Sequence, residues 1–89
     1  MFTLKMTSQF KKDLKRIQNK PKQIAHLKIV LSLLQETGIL PSIYKPHKLS
    51  GDYSGFMECH IESDLLLIWL DEESNIIKLV RLGSHSELF

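Results

Sequence analysis

The sequence LLLIWL, at residues 65–70, is apolar at each of its positions. A strand with one solvated face alternates apolar and polar side chains, whereas a strand covered on both faces is often apolar throughout. We therefore predict that residues 65–70 form the central strand of a sheet, and the rest of the fold is built outward from it.

Short extended segments surround this strand in the second half of the chain. Glycine and other turn-forming residues separate them at close intervals, as in a sheet whose strands are joined by tight turns. The predicted elements are a turn at 51–55, a strand at 56–61, a turn at 71–75, a strand at 76–82 and a turn or single helical turn at 83–89. Residues 47–49 could add a further short strand.

The N-terminal half begins with a strand and a helix. Apolar and polar side chains alternate over residues 2–6, which predicts a strand with one buried face. Thr7 or Ser8 then supplies a side-chain oxygen to cap a helix that ends near Asn19. Its apolar stripe consists of Phe10, Leu14 and Ile17.

A second helix follows and is predicted to be more deeply buried. Pro21 suits its first turn, where a backbone N–H is not needed, and Gly38 marks its end. Its apolar residues recur at helical spacing and form a wide stripe: Ile24, Leu27, Ile29, Val30, Leu31, Leu33 and Leu34. Residues 39–46, with two prolines, form an ordered loop.

This order of elements predicts a single α+β domain over residues 1–89. Two N-terminal helices should pack on one face of a small, mainly antiparallel, four-stranded sheet. The composition, 43% hydrophobic and 25% charged, is that of an ordinary globular protein, and 89 residues suffice for one domain only.

The compartment expected for this chain is the cytoplasm. No apolar run approaches the length of a membrane span, and the N-terminal residues lack the pattern of a secretion signal. The single cysteine, Cys59, has no partner for an internal disulfide, and its place in an apolar strand predicts a buried thiol that is not a nucleophile.

The charge of the chain is unevenly distributed. Residues 1–50 contain ten basic and two acidic residues, a net charge of +8, whereas residues 51–89 contain two basic and eight acidic residues, a net charge of −6. Pooled charge of this kind suits a polyanionic partner, although each lysine of the first helix taken singly could be only a solvated surface residue.

Four residues suited to proton transfer or metal binding cluster in the second half of the chain: His47, His60, Asp64 and His85. Arg81 lies in the last strand. Zinc sites usually contain a close pair such as HxH or HxxxH, which is absent here. Cleavage of RNA is the other chemistry that these side chains could support, and it needs no metal. The ribose 2′-OH is an internal nucleophile, so the reaction requires only a base, an acid and a cation.

Structural roles for the same residues remain open at this point. Alternation along the strand places His60 on one face with Glu58, and Met57 and Cys59 on the other. Asp64 could orient His60, accept a proton or simply stabilise a turn. Arg81 could form an ion pair with Glu58 or Asp64, and any histidine beside a turn could be merely solvated.

Two segments closely resemble the YafQ-type toxins of the RelE superfamily, which are bacterial toxin–antitoxin endoribonucleases. They are YKPHKLSGDYSGFMECHIESDLLLIWL at 44–70 and LVRLGSHSELF at 79–89, and they carry the signatures HxLxGxxxGxxxCHIxxD and RxGxHxxLF. The N-terminal half matches the family only in its helical pattern.

The resemblance implies a RelE-like fold and metal-independent cleavage of mRNA in the ribosomal A site, with no cofactor. It implies catalytic roles for His47, His60, Asp64 and His85, with Arg81 as the cation that stabilises the phosphorane. His85 is expected to be the general acid, His47 or Asp64 the base, and His60 a phosphate-positioning group or a second base. RNA-binding roles are expected for Lys48, Phe89, Lys11 and Lys12.

The partners that the resemblance implies are mRNA, the ribosome and an acidic antitoxin of the DinJ or RelB kind. Operator DNA would be bound only by the toxin–antitoxin complex. No membrane partner is expected.

Met57 departs from the family pattern, which commonly has arginine there. If that arginine serves phosphate, its absence predicts weaker activity, and Met57→Arg should raise cleavage. Two other functions therefore remain as alternatives: a catalytically weak protein that acts through its antitoxin complex on operator DNA, and a metal-dependent nuclease.

Overall fold

A computed structural model describes all residues from 1 to 89, which form one five-stranded sheet and three α-helices. Two short 3₁₀ turns, Ser42–Tyr44 and Gly51–Tyr53, lie in the connecting segments. The elements are β1 Thr3–Met6, α1 Ser8–Arg16, α2 Pro21–Thr37, β2 His47–Lys48, β3 Met57–Glu62, β4 Leu65–Glu72, β5 Ile76–Gly83 and α3 His85–Leu88.

The sheet has the order β1-β5-β4-β3-β2, so that β4 lies in its middle. Only β1 and β5 are parallel, and every other neighbouring pair is antiparallel. Residues 65–69 of β4 are all buried. The predicted central strand and the mainly antiparallel α+β sheet are therefore confirmed, and the sheet has five strands instead of four because the short strand considered at 47–49 forms as the two-residue β2.

The first two helices begin as their sequences predict. The Thr7 side chain accepts a hydrogen bond from the Phe10 N–H at 3.0 Å and caps α1. Pro21 occupies the first turn of α2. Helix α1 ends at Arg16, three residues before the predicted Asn19, and a turn leads into α2.

The two faces of the sheet are covered unequally. Helices α1 and α2 cover one face over a cluster of fourteen buried residues that includes Phe10, Leu34, Leu67 and Trp69. The opposite face carries only a small cluster, Leu66, Ile68 and Leu88, with α3 and the 3₁₀ turn Gly51–Tyr53 beside it. We call this second side the open face. None of the helices combines the length and the apolar character that a bilayer crossing demands.

Cys59 lies within the helix-covered core, as predicted, and so does Trp69. Cys59 is completely buried, and burial together with the neighbouring Glu58 charge raises the pKa of its thiol to about 12. The thiol therefore stays protonated at neutral pH, so it is a poor nucleophile.

Gly38 ends α2 in the left-handed region at φ 72°, and its N–H donates to the Leu34 carbonyl at 2.9 Å. A Cβ at this position would lie 2.6 Å from the Phe2 ring. Gly51 has a similar φ of 67°, but nothing lies within 4 Å of its Cβ position. A glycine is therefore required at position 38 for two reasons: the left-handed backbone conformation, and the close approach of the Phe2 ring just before β1.

We predict that Gly51→Ala lowers the free energy of unfolding by about 1 kcal/mol, the cost of a left-handed alanine. Gly38→Ala should cost clearly more, because the Phe2 ring must also move. Urea denaturation of the two variants beside the wild type measures both losses. Equal losses would show that the Phe2 contact has no energetic weight.

Candidate active site

Three imidazoles form a row on the open face of the sheet. The ring centroid of His60, on β3, lies 6.2 Å from that of His47 on β2 and 5.8 Å from that of His85 on α3. His60 pairs across the strands with Leu66, a member of the open-face cluster. The sheet therefore brings together three histidines that are separated by up to 38 positions in the sequence.

Asp64 contacts His85. It does not contact His60, which it would have to do in order to orient that ring, one of its predicted roles. Its Oδ1 accepts hydrogen bonds from the His85 backbone N–H at 3.0 Å and from His85 Nδ1 at 3.1 Å. The backbone N–H is the larger cause and the imidazole the next, and together they lower the pKa of Asp64. Since Nδ1 donates to a carboxylate, Nε2 of His85 is left to face solvent.

His47 is held by two oxygen atoms that lie on opposite sides of its ring. Nδ1 is 2.8 Å from the Lys45 carbonyl oxygen, and Nε2 is 3.1 Å from Oε1 of Glu58. A carbonyl and a carboxylate only accept, so both bonds form when His47 is an imidazolium or when Glu58 carries the proton. Glu58 is 4% exposed, and its Oε2 has no hydrogen-bond partner.

Arg81 forms neither of the ion pairs that the sequence suggested, with Glu58 or with Asp64. Its Nε donates to Oδ2 of Asp13 at 2.8 Å. This hydrogen bond is the main reason why the pKa of Arg81 is raised. Arg81 and Glu58 share the open face, but both are paired in register with Ile68, which lies between them on β4.

Aromatic side chains border the same region. The exposed ring of Phe89 lies 5.5 Å from the Tyr53 ring and 6.4 Å from the His85 ring, measured between centroids. Tyr53 in turn contacts Phe56 edge to face at 5.9 Å. Phe89 therefore presents a solvent-accessible aromatic surface beside the row of imidazoles.

A comparison with known protein families matches almost the entire chain to one of them. The profile described as "Bacterial toxin of type II toxin-antitoxin system, YafQ" matches residues 2–89. The chain belongs to the YafQ toxin family. Membership covers the N-terminal half as well, where the sequence pattern alone gave only a helical match.

Relatives within the YafQ family agree in sequence and in structure. The mRNA interferase toxin YafQ of Escherichia coli K12 is 33% identical over 87 residues, 97% of this chain and 94% of that protein. A metal-bound toxin from Helicobacter pylori is 40% identical with a TM-score of 0.88, and each chain is covered completely. The YafQ chain of the E. coli DinJ–YafQ complex is 32% identical with a TM-score of 0.85, over 100% and 99% of the two chains.

The lysines predicted to bind RNA do not join the row of imidazoles in this YafQ-family fold. Lys11 borders a groove between α1 and α2, on the side of the sheet away from the histidines. Lys48 pairs with Met57, so alternation directs it away from His47. Lys12 is exposed on α1. Their contact with RNA stays a prediction, and it would be outside the imidazole row.

Met57 also lies on the helix-covered side, where it packs against the core that includes Leu40 and Trp69. An arginine at this position would leave the sheet on the face opposite His60. The structure gives no support to the expectation that Met57→Arg adds a phosphate-binding cation to the site, because the backbone directs the side chain to the other face, and the effect on cleavage stays a prediction.

Three residues of this region were not recognised from the sequence: Asp13, Tyr53 and Glu58. Alternation did place Glu58 beside His60, but nothing in the pattern indicated that it would hold His47. Asp13 is on a helix 68 positions from Arg81, and only the packing of α1 against β5 brings the two together.

We predict that Asp64 titrates below its ordinary pKa of 3.8. In His85→Ala the carboxylate loses the imidazole but keeps the backbone N–H of residue 85, so its pKa should rise only part of the way back. Carboxyl ¹³C NMR over acidic pH measures both values. A complete return to 3.8 in the variant would assign the whole effect to the imidazole.

Proposed function

We propose that this YafQ-family toxin is a metal-independent endoribonuclease that cleaves mRNA in the ribosomal A site. The observation that carries the proposal is the row of three imidazoles on the open face of the sheet, the face that also carries Arg81. A row of groups that exchange protons near neutral pH, next to a fixed cation, suits attack of a ribose 2′-OH on the adjacent phosphate. The name of the E. coli relative, an mRNA interferase toxin, supports the same activity.

His85 is assigned as the general acid. Its Nδ1 is bound to Asp64, which orients the ring and leaves Nε2 to protonate the departing 5′-oxygen. Asp64 is then an orienting residue and not the base, because its Oδ1 already accepts two hydrogen bonds from His85.

His60 is assigned as the base that removes the 2′-OH proton. His47 and His85 are each held by hydrogen bonds, whereas His60 makes only ring contacts with both of them. His60 thus takes the role expected of His47, which Glu58 and the Lys45 carbonyl engage on both nitrogens. After one cleavage His60 has gained a proton and His85 has lost one, and exchange with solvent restores both groups for the next cycle.

Arg81 and Phe89 complete the proposed site. The guanidinium of Arg81 stabilises the negative charge that develops on the phosphorane oxygens. The exposed ring of Phe89 offers a stacking surface for a nucleotide base next to His85.

The proposed regulator is an acidic antitoxin of the DinJ or RelB kind. A homologous E. coli chain is found in a DinJ–YafQ complex. The basic first half of this chain, with its net charge of +8, complements an acidic partner. The complex, and not the free toxin, is proposed to bind operator DNA.

A metal-dependent reaction does not fit the donors as they stand. Imidazoles suit zinc and copper, and one relative from H. pylori is described as metal-bound. Here, however, both nitrogens of His47 and one nitrogen of His85 already face other partners. No group of three or more histidine, cysteine or acidic side chains is arranged to hold an ion.

We predict that His85→Ala reduces the single-turnover cleavage rate on programmed ribosomes by about 10²- to 10⁴-fold, the usual contribution of a general acid. His26→Ala is the matched control, because His26 pairs with Glu62 on the helix-covered side and should leave the rate unchanged. Purified protein, a defined mRNA and ribosomes suffice for the assay. Unchanged cleavage by His85→Ala would refute the assignment of the acid.

The same assay with and without a chelator selective for zinc and copper, at constant Mg²⁺ so that the ribosomes stay intact, tests the metal-independent chemistry. Cleavage should survive the chelator and require ribosomes. Loss of cleavage that added zinc or copper restores would establish the metal-dependent alternative, and cleavage of free RNA at the same rate would remove the A-site proposal. No cleavage under any condition would favour the alternative in which the protein acts only by binding.

We predict that Met57→Arg leaves the cleavage rate within about twofold of the wild type, since its side chain is on the face opposite His60. If the two rates agree, the absence of an arginine at position 57 gives no reason to expect a weak enzyme. Parallel rates for wild type and variant at equal folded fraction measure this. A large gain would show that residue 57 reaches the phosphate after all.

A further inference from the structure

Asp13 is the most deeply buried charged residue of the chain, and the proposed chemistry does not use it. It is 1% exposed. Its Oδ2 accepts hydrogen bonds from Arg81 Nε at 2.8 Å and from the Leu82 backbone N–H at 2.9 Å. Its Oδ1 accepts from Arg16 and, at 3.2 Å, from Gln9 Nε2. A single carboxylate therefore gathers donors from helix α1 and from strand β5.

The position of this carboxylate follows from the end of strand β1. β1 pairs with β5 only as far as Met6 and Leu79, after which α1 runs along the free edge of β5. The Thr7 hydroxyl donates to the Val80 carbonyl at 3.0 Å, and Asp13 accepts the N–H of Leu82. Side chains of the helix thus replace the missing strand at the segment that carries Arg81.

A β-bulge in β5 places Arg81 on the open face, where its side chain reaches this carboxylate. Ile68 pairs with Arg81 but Trp69 pairs with Leu79, so Val80 is an extra residue in the ladder. Leu79 and Leu82 both face the helix-covered core, which places Arg81 on the open face. Bulges of this kind often re-aim a side chain next to a functional site.

The contact fixes the plane of the guanidinium. Nε and, at a longer 3.4 Å, Nη2 of Arg81 both point to Asp13, so the remaining N–H groups point away from it. Burial raises the pKa of Asp13, but the hydrogen bonds from Arg81 and Leu82 outweigh burial and leave it below its ordinary value. Both partners are therefore charged at neutral pH.

We propose that Asp13 is a positioning residue that aims the Arg81 guanidinium at the scissile phosphate. The inference rests on the proposed function of Arg81. Without the carboxylate, the long arginine side chain would adopt many rotamers, and its charge would be spread over them instead of held at one place. Asp13 itself does not touch the substrate.

The first test is the Asp13→Asn variant in ribosome-dependent cleavage. The amide keeps the size of the side chain but presents N–H groups to the donors around it. We expect kcat to fall about 10- to 100-fold, as for a displaced catalytic group, with KM for programmed ribosomes nearly unchanged. Val30→Ala, a core substitution in α2 away from Arg81, serves as the control for lost stability.

A double-mutant cycle separates positioning from a purely structural role. In an Arg81→Ala background, Asp13→Asn should cause no further loss of kcat, because the group that it positions is gone. Methylguanidinium added to Arg81→Ala should restore part of the rate, and should fail to do so in the double variant. Losses that multiply, or rescue that does not need Asp13, would overturn the proposal.

Solvent exchange of the Arg81 Nε–H gives a readout that does not require activity, and its wild-type measurement requires no variant. In the wild type this proton should be protected and its NMR signal sharp, and Asp13→Asn should speed its exchange at least about tenfold. Rapid exchange in the wild type would overturn the positioning role. Full cleavage by Arg81→Ala would instead refute the function proposed for Arg81, and with it any role for Asp13 in cleavage.

Discussion

Complete burial of strand β4 is the constraint on which the rest of the structure depends. Its residues from Leu65 to Trp69 are buried on both faces, and both of its edges are paired. Each large apolar side chain removed from water there contributes about 1.5 to 3 kcal/mol. Burial of β4 therefore requires a strand on each of its edges and apolar side chains packed on each of its faces. A chain of this size can supply these neighbours for only one central strand.

The two faces of the sheet are covered unequally, and the less covered face carries the residues that are proposed for the site. Two helices occupy one face, whereas the other receives only the four-residue helix α3 and a 3₁₀ turn. Polar side chains on the second face remain accessible to a large substrate. This second face carries or borders the row of imidazoles, Arg81 and Phe89, whereas the thiol of Cys59 lies on the helix-covered face.

Three carboxylates from different parts of the chain bind side chains that are proposed to act on this face. Glu58 on β3 holds His47, Asp64 in the following turn holds His85, and Asp13 on α1 holds Arg81. Each pair combines a group that can be positive with an acceptor that limits its orientation. His60 alone is left without such a partner, at the centre of the row, and this is why it is the best candidate to accept a proton.

The sequence by itself determined the elements and named most of the residues that are proposed for the site. The apolar run at 65–70, the alternation at 56–61 and the caps at Thr7 and Gly38 are local patterns, and the structure confirms them. The two signatures also named the residues that the sheet brings together, and family membership follows from the whole chain. These features depend on residues near each other in the sequence, so their physical causes can be recognised there.

Only the tertiary structure decided how those residues are paired. Simple alternation from Leu79 would have put Arg81 on the helix-covered face, and the bulge at Val80 moves it to the open one. The partners of Arg81 and His85 come from segments 68 and 21 positions away. Such contacts are fixed by strand register and by helix packing, which depend on burial across the entire domain and leave no local pattern in the sequence.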